Sequence, residues 1–247
     1  MFVSLEVKGR NTAKMSDPVS QKASDEAWMG DPLPRGRHKL PPEAVRASQR
    51  ERLLRAMEEL VGERGYEATS VPQVIARARV SSNTFYKFFA EKTDCFIALC
   101  EQHGEELFAA LERPEEEDVA GALAALDRGI RMYLSWMRER PAYARAYFVE
   151  LPAAGPRAVE ERERQYRRFA ALHRTIGERA RTVYPDAPPL RDIDVAASVI
   201  LTTELVAAEV RAGRIGALLE LEDALRYLIV KLLVGATAAE YVATGRA

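Results

Sequence analysis

Between positions 81 and 87 the chain gathers three hydroxyl side chains (Ser81, Ser82 and Thr84), one carboxamide (Asn83), one phenol (Tyr86) and one ammonium group (Lys87), with no carboxylate among them. Such a set offers neutral donors and acceptors beside a single positive charge. These are the groups that bond to base edges and hold backbone phosphates. An asparagine can pair with both N6 and N7 of adenine, worth roughly 1–3 kcal/mol of discrimination. A solvent-facing or locally capping Asn83 fits the sequence equally well. Patterns for bond-making chemistry are lacking: there is no Gly-x-Ser-x-Gly, no glycine loop to cradle a phosphate and no Glu-x-x-His pair. Cys95 and Cys100 lie five positions apart, about 140° around a helix, and do not converge. His38, His103 and His173 lack metal-ligand spacing. No catalytic residue, metal or cofactor is expected, and the chain does not read as an enzyme.

A reading surface needs rigid support, and the flanking sequence supplies it. Two short helices are expected, at about Val71–Ala78 and Ser82–Phe89, joined by Ala78-Arg79-Val80-Ser81. Ser70 with Gln73 forms a capping box for the first, Pro72 sits harmlessly in its first turn, and Ser81 caps the second. Neither helix is long enough to be stable alone. Both must lean, through Val71, Val74, Ile75, Val80, Phe85, Phe88 and Phe89, on longer neighbours at about Pro42–Arg64 and Lys92–Arg113. In the first of these neighbours Leu53, Leu54, Met57, Leu60 and Val61 make one apolar stripe, and Gly65 supplies a left-handed stop. Charge follows the same division. Residues 34–92 hold 12 Lys and Arg against 7 Asp and Glu, a net of +5, although the whole chain carries −1. A basic amino-terminal part on an acidic body suits contact with phosphate, while chance clustering on a solvated face gives the same count.

The remaining sequence is helical without strand-like alternation, so the fold class is all-α. Residues 1–40 carry six Gly and Pro at scattered positions and no persistent period, which reads as a disordered tail with a basic arm. Met15 is a candidate internal start. Residues 41–92 read as a helix-turn-helix domain and residues 93–247 as a larger helical domain. Further helices are expected at about Val119–Arg140, Pro141–Leu151, Pro156–Val183, Arg191–Ala212 and Gly216–Thr244. The last two are apolar on more than one side, through Val199 and Leu205 in one and Leu225, Leu228 and Leu232 in the other. Such helices suit a homodimer interface, or a fully internal helix pair. The middle helices carry Phe96, Cys100, His103, Trp136, Tyr143, Tyr147, Tyr166 and Phe169. Aromatic residues at helical spacing are ordinarily core; the alternative is a pocket for a small-molecule effector, with His103, Tyr143 and Tyr147 as polar handles. Arg and Glu alternate through 157–168, as on an exposed, ion-paired face. Two cysteines fit a reducing compartment, and no apolar run of 18 residues or apolar leader occurs, so a cytoplasmic location without membrane contact is expected.

Gly65, Tyr66, Thr69, Val71, Ile75, Ala76, Ala78, Val80, Ser81, Thr84, Tyr86, Phe89 and Lys92, at these spacings, resemble the TetR family of transcriptional regulators. The resemblance covers about residues 45–95. It implies a dimer bound to double-stranded operator DNA, and a repressor that releases DNA when a small molecule enters the carboxy-terminal domain. Carried over by position, the resemblance implies that Tyr86, Lys92 and Thr69 hold backbone phosphates and that Ser82, Asn83 and Lys87 lie where bases are read, with a purely phosphate contact the alternative for Lys87. Ahead of the first helix, Arg35, Arg37, His38 and Lys39 could enter a minor groove, with Arg46 and Arg50 beside the backbone. Two departures stand out. Arg79 occupies a turn position where relatives commonly carry glycine, and Asn83 stands where a small residue is common. A helical enzyme and an adaptor that binds only protein are the competing classes; an adaptor would show no salt-sensitive DNA binding.

Overall fold

The computed structural model describes residues 41–112 and 121–235, and among these there is no strand. Helix α1 (Pro42–Arg64) buries the expected stripe of Leu53, Leu54, Met57, Leu60 and Val61. It ends where Gly65 turns left-handed (φ 86°) and donates to the Val61 carbonyl at 2.9 Å. Two short helices follow, α2 (Val71–Ala78) and α3 (Ser82–Phe88), and then α4 (Lys92–Leu111). Helix α4 buries residues on nearly every side, Cys95, Phe96, Leu99, Cys100, Leu107 and Phe108 among them, because α1 and the later helices Gly121–Glu139 and Pro156–Val183 all pack on it. Burial pushes the Cys95 thiol up to about 12 and Cys100 higher still, so neither is a nucleophile at neutral pH.

The larger part is built from α5 (Gly121–Glu139), α6 (Pro141–Arg145), α7 (Pro156–Val183), α8 (Asp192–Arg211) and α9 (Glu222–Leu233). Helix α7 packs against α4, α5 and α8, and α8 packs against α9. The alternating charges of α7 are an ion-paired face, as expected. Arg157 reaches Asp94 and Glu91, Arg164 reaches Glu101, and Arg168 reaches Glu105 and Glu112, tying α7 to α4. Exposed pairs of this kind contribute about 0–1 kcal/mol each, so they set register more than stability.

Two expected helices differ in detail. The segment after Pro141 is α-helical only to Arg145; Ala146–Glu150 widens into a π-helical turn, followed by a 3₁₀ turn at Leu151–Ala154. Likewise Ile215–Leu221 is a 3₁₀ turn, and α9 starts only at Glu222. Ile215, Leu218 and Leu221 are spaced by three, and a 3₁₀ turn superposes such residues on one side. Leu218 is fully buried there, with Ile215 and Leu221 packed beside the core. The expected continuation of the last helix to Thr244 lies outside the described residues beyond 235.

A buried polar pair joins α7 to α8. Ser198 Oγ donates to the Val195 carbonyl at 2.7 Å and therefore accepts from His173 Nδ1, also at 2.7 Å. Burial lowers His173 to about 4, against 6.5 in the unfolded chain. Between these values the unfolded state takes up a proton that the folded state refuses, so stability is complete above pH 6.5 and falls as pH drops towards 4. The loss should be about 3 kcal/mol. Denaturant unfolding at pH 7 and pH 4.5 checks it: the difference should shrink in His173→Gln, and an unchanged difference would refute the assignment.

Candidate nucleic-acid interface

The surface presented by α3 follows from what lies beneath it. Phe85 is fully buried and meets Phe89 at 5.7 Å between ring centroids, while Val74 and Ala78 of α2 are buried on the same platform. Anchoring position 85 inward turns positions 83, 86 and 87 outward by the helical period, about 100–200° away, while position 82 flanks Phe85 in the first turn. Ser82, Asn83, Tyr86 and Lys87 are all exposed, Tyr86 by 57%. They form one polar face with a single positive charge. Ser81 Oγ accepts from the Thr84 amide at 3.1 Å and pairs with the Thr84 hydroxyl at 2.8 Å, which fixes the first turn. These two hydroxyls are thereby committed to capping.

The turn between the short helices has the strain that its sequence implied. Arg79 adopts φ 53° and ψ 46°, alone among the described non-glycine residues in having positive φ. A left-handed side-chain-bearing residue costs on the order of 1–2 kcal/mol. Arg79→Gly should therefore raise stability by about 0.5–1 kcal/mol, after allowing for the greater freedom of glycine in the unfolded chain. A melting curve checks this. A lower melting temperature would show that the Arg79 side chain more than offsets the backbone strain.

Other expected contact residues are placed less simply. Thr69 is buried, and its hydroxyl donates to the Gly65 carbonyl at 2.8 Å, so its side chain has no route to a phosphate. This corrects the expectation for Thr69: it closes the α1–α2 turn. Lys92 spends two N–H groups on the Tyr66 and Thr69 carbonyls, each at 2.9 Å, with its nitrogen 4.0 Å from the Tyr66 ring centre. Burial lowers its pKa, and one N–H remains for an anion. Arg50 is half-buried and donates to Gln102 on α4 at 3.0 Å. Arg46 is exposed, its guanidinium 5.5 Å from the Phe88 ring centre, and so borders the α3 face. Arg35 and Arg37, with His38 and Lys39, lie outside the described residues.

Sequence reasoning missed the residues that join this platform to the body. Glu150, at the end of the π-helical turn, accepts from the Tyr66 amide at 2.9 Å and from Arg145 at 3.3 Å. A Cβ at position 65 would lie 2.9 Å from the same carboxylate, so the glycine makes room for it. Gly62 likewise meets Ala142, where a Cβ would approach to 2.8 Å. Arg77 fastens α2 to α1 through Glu63 and Glu59, at 2.9 Å each. No short-range signal marks Glu150, because its partner is 84 positions away.

The expected effector and interface residues divide as well. Phe96 packs on Tyr66 at 5.0 Å, on the α1–α3 side. His103, Trp136, Tyr143 and Tyr147 pack ring on ring, with His103 and Tyr143 at 4.3 Å, while Cys100 is buried and Tyr166 half-buried. A small cavity of about 30 Å³ lies instead beside Tyr133, Phe169 and His173. Val199 and Leu225 are buried within the chain and have no area to give a partner, which corrects their assignment to an interface. Leu205, Leu228 and Leu232 are half-exposed. Leu228 and Leu232 line a groove of about 840 Å³ with Leu201, and Ile193 and Ile200 on α8 are 64% and 55% exposed.

Comparison with known proteins agrees with this geometry. Residues 53–99 match the family model described as bacterial regulatory proteins, tetR family. The chain is similar to the transcriptional regulator AcuR of Cereibacter sphaeroides, 34% identical over 105 residues, covering 42% of this chain and 45% of that protein. The match thus spans less than half of that relative's length. Among solved structures, Salmonella enterica GusR superposes with a TM-score of 0.61 at 18% identity, over 79% of this chain and 99% of that one. The regulator FadR from Bacillus subtilis, solved with stearoyl-CoA, gives 0.60 at 18% identity, over 75% and 98%. At such identities the likeness is one of fold.

Proposed function

We propose that this chain, whose residues 53–99 match the tetR family of bacterial regulatory proteins, is a transcriptional regulator that binds a pseudo-palindromic operator as a homodimer. The observation that carries the reading is the outward face of α3, where Ser82, Asn83, Tyr86 and Lys87 stand exposed over the buried Phe85. A short helix held this way fits the major groove, with Asn83 and Lys87 towards base edges and Tyr86 towards phosphate. One such helix reads too few bases alone. A second copy, joined through α8 and α9, supplies the other half-site. We assign the interface to Leu205, Leu228 and Leu232, extended by Ile193, Ile200 and Leu201. Residues 41–92 act as the DNA-binding domain and the remainder as the dimerisation and response domain, in the cytoplasm.

Repression relieved by a small molecule is the mode that fits the family. The stearoyl-CoA held by Bacillus subtilis FadR supports a ligand-responsive body in this fold. Here the aromatic cluster is closed, so an effector must be small or must part the helices. Ligand affinity that differs between the DNA-binding and released arrangements would drive release. Glu150 offers a route, since it holds the Tyr66 amide from the turn that carries Tyr147.

An electrophoretic shift on the DNA upstream of the protein's own gene, with a salt titration, tests the reading. Binding should weaken linearly in log–log form as salt rises, and Lys87→Ala should lower that slope by about one. Binding that ignores salt, or no binding to any DNA, would overturn it.

A further inference from the structure

We propose that Arg79, in the turn between α2 and α3, holds a backbone phosphate of the bound DNA; this rests on the DNA-binding reading above and adds a contact to it. The turn is a complete helix stop. Arg79 donates its amide to the Ala76 carbonyl at 3.2 Å, and Val80 donates to the Ile75 carbonyl at 3.3 Å. That pair of bonds holds position 79 in the left-handed region, where glycine is the residue without strain. Arg79 keeps the strain, and within the protein its side chain does nothing to offset it. It is exposed, and among the described residues its guanidinium makes no hydrogen bond, ion pair or ring contact. Strain held with no internal compensation points to a partner outside the chain.

The charge around the turn identifies that partner. Arg52 on α1 donates to the Arg79 carbonyl at 3.5 Å through Nη1, its Nε is buried without a partner, and among the described residues no carboxylate pairs with it. Two cations therefore meet at one turn without a counter-charge. The neighbouring acids of α1 are held elsewhere, Glu51 by Gln102 and Arg55, Glu58 by His103, and Glu59 and Glu63 by Arg77. Position points the same way. Arg79 lies just ahead of Ser81, the cap of α3, while Lys87 and Arg46 stand at the far end, Arg46 5.5 Å from the Phe88 ring centre. With seven residues α3 is about 10 Å long, close to the roughly 12 Å width of the major groove, whose two edges are lines of phosphate. Cations at both ends of the polar face match those two edges. A guanidinium suits the contact, because it grips a phosphate through two parallel N–H groups.

The test uses the full-length protein and two labelled duplexes of equal length, the fragment upstream of its own gene and a scrambled version of it. Fluorescence anisotropy between about 50 and 200 mM salt gives the affinity and its salt slope. Arg79→Ala keeps the Cβ and removes the charge, whereas Arg79→Gly removes both. Each should weaken binding about 10-fold on both duplexes and lower the slope by about one. Arg79→Lys should keep the wild-type slope. Arg79→Gly should meanwhile raise the melting temperature by about 1–4 °C. A variant more stable than wild type would then bind DNA less well, which loss of folding cannot produce. An unchanged slope in Arg79→Ala and Arg79→Gly overturns the contact, as does a loss confined to the upstream fragment, or Arg79→Lys binding as weakly as Arg79→Ala. Salt-dependent wild-type binding with unchanged variants sinks this contact alone; a wild type that binds neither duplex sinks the regulator reading and the contact with it.

Discussion

Phe85→Ala should abolish sequence-specific DNA binding without touching any group that faces the DNA. The ring is fully buried beneath α3, in edge contact with Tyr86 at 5.3 Å and tilted against Phe89. Truncating such a residue costs about 3–5 kcal/mol, a large share of the roughly 5–15 kcal/mol that stabilises an ordinary domain. The melting temperature should fall by about 6–20 °C for a chain of this size. Operator affinity should drop towards the non-specific level, about a thousandfold or more, because a seven-residue helix has no stability of its own. Tyr86→Phe is the matched control. It removes one exposed hydroxyl and should leave stability within about 0.5 kcal/mol, yet weaken operator binding by the worth of one hydrogen bond, about 1 kcal/mol. Wild-type operator affinity in Phe85→Ala would show that the face reads nothing, and the proposed interface would fail.

How much of this was legible beforehand depends on the range of the interaction concerned. Helix α1, both short helices and the cap at Ser81 are written locally, in apolar period, serine spacing and glycine stops, and the structure follows those signals almost residue by residue. The strain at Arg79 was also local, a bulky residue where a left-handed turn was expected. What sequence could not give was commitment. Thr69 and Lys92 look like phosphate ligands by type, but their hydrogen bonds go to carbonyls around the α1–α2 turn. Val199 and Leu225 look like interface by hydrophobicity, but the fold spends them on its own core. Glu150 looks like any surface acid until α6 brings it against Gly65. Each of these depends on contacts across the chain, which periodicity does not encode.

Ile193→Asp combined with Ile200→Asp should convert a dimer into a folded monomer and remove operator binding with it. The two side chains are spaced by seven on α8, hence on one face, and are exposed by 64% and 55%. These large aliphatic groups are next in sequence to Asp194 and Leu201, which line the groove together with Leu228, Leu232 and the charged Arg181, Arg191 and Lys231. A stable association of this kind usually buries about 1,200–2,000 Å². In a two-fold pairing every substitution appears twice, so the double variant puts four carboxylates into the contact, each costing several kcal/mol if buried unpaired. Within the protomer the same changes touch exposed positions and should alter stability by no more than about 0.5 kcal/mol apiece. Light scattering at micromolar concentration should therefore report half the wild-type mass with circular dichroism unchanged. Operator affinity should fall about a thousandfold, as one half-site replaces two. A variant that stays dimeric would move the interface away from α8, whereas a monomer that still binds the operator as tightly as wild type would remove the need for two-fold recognition.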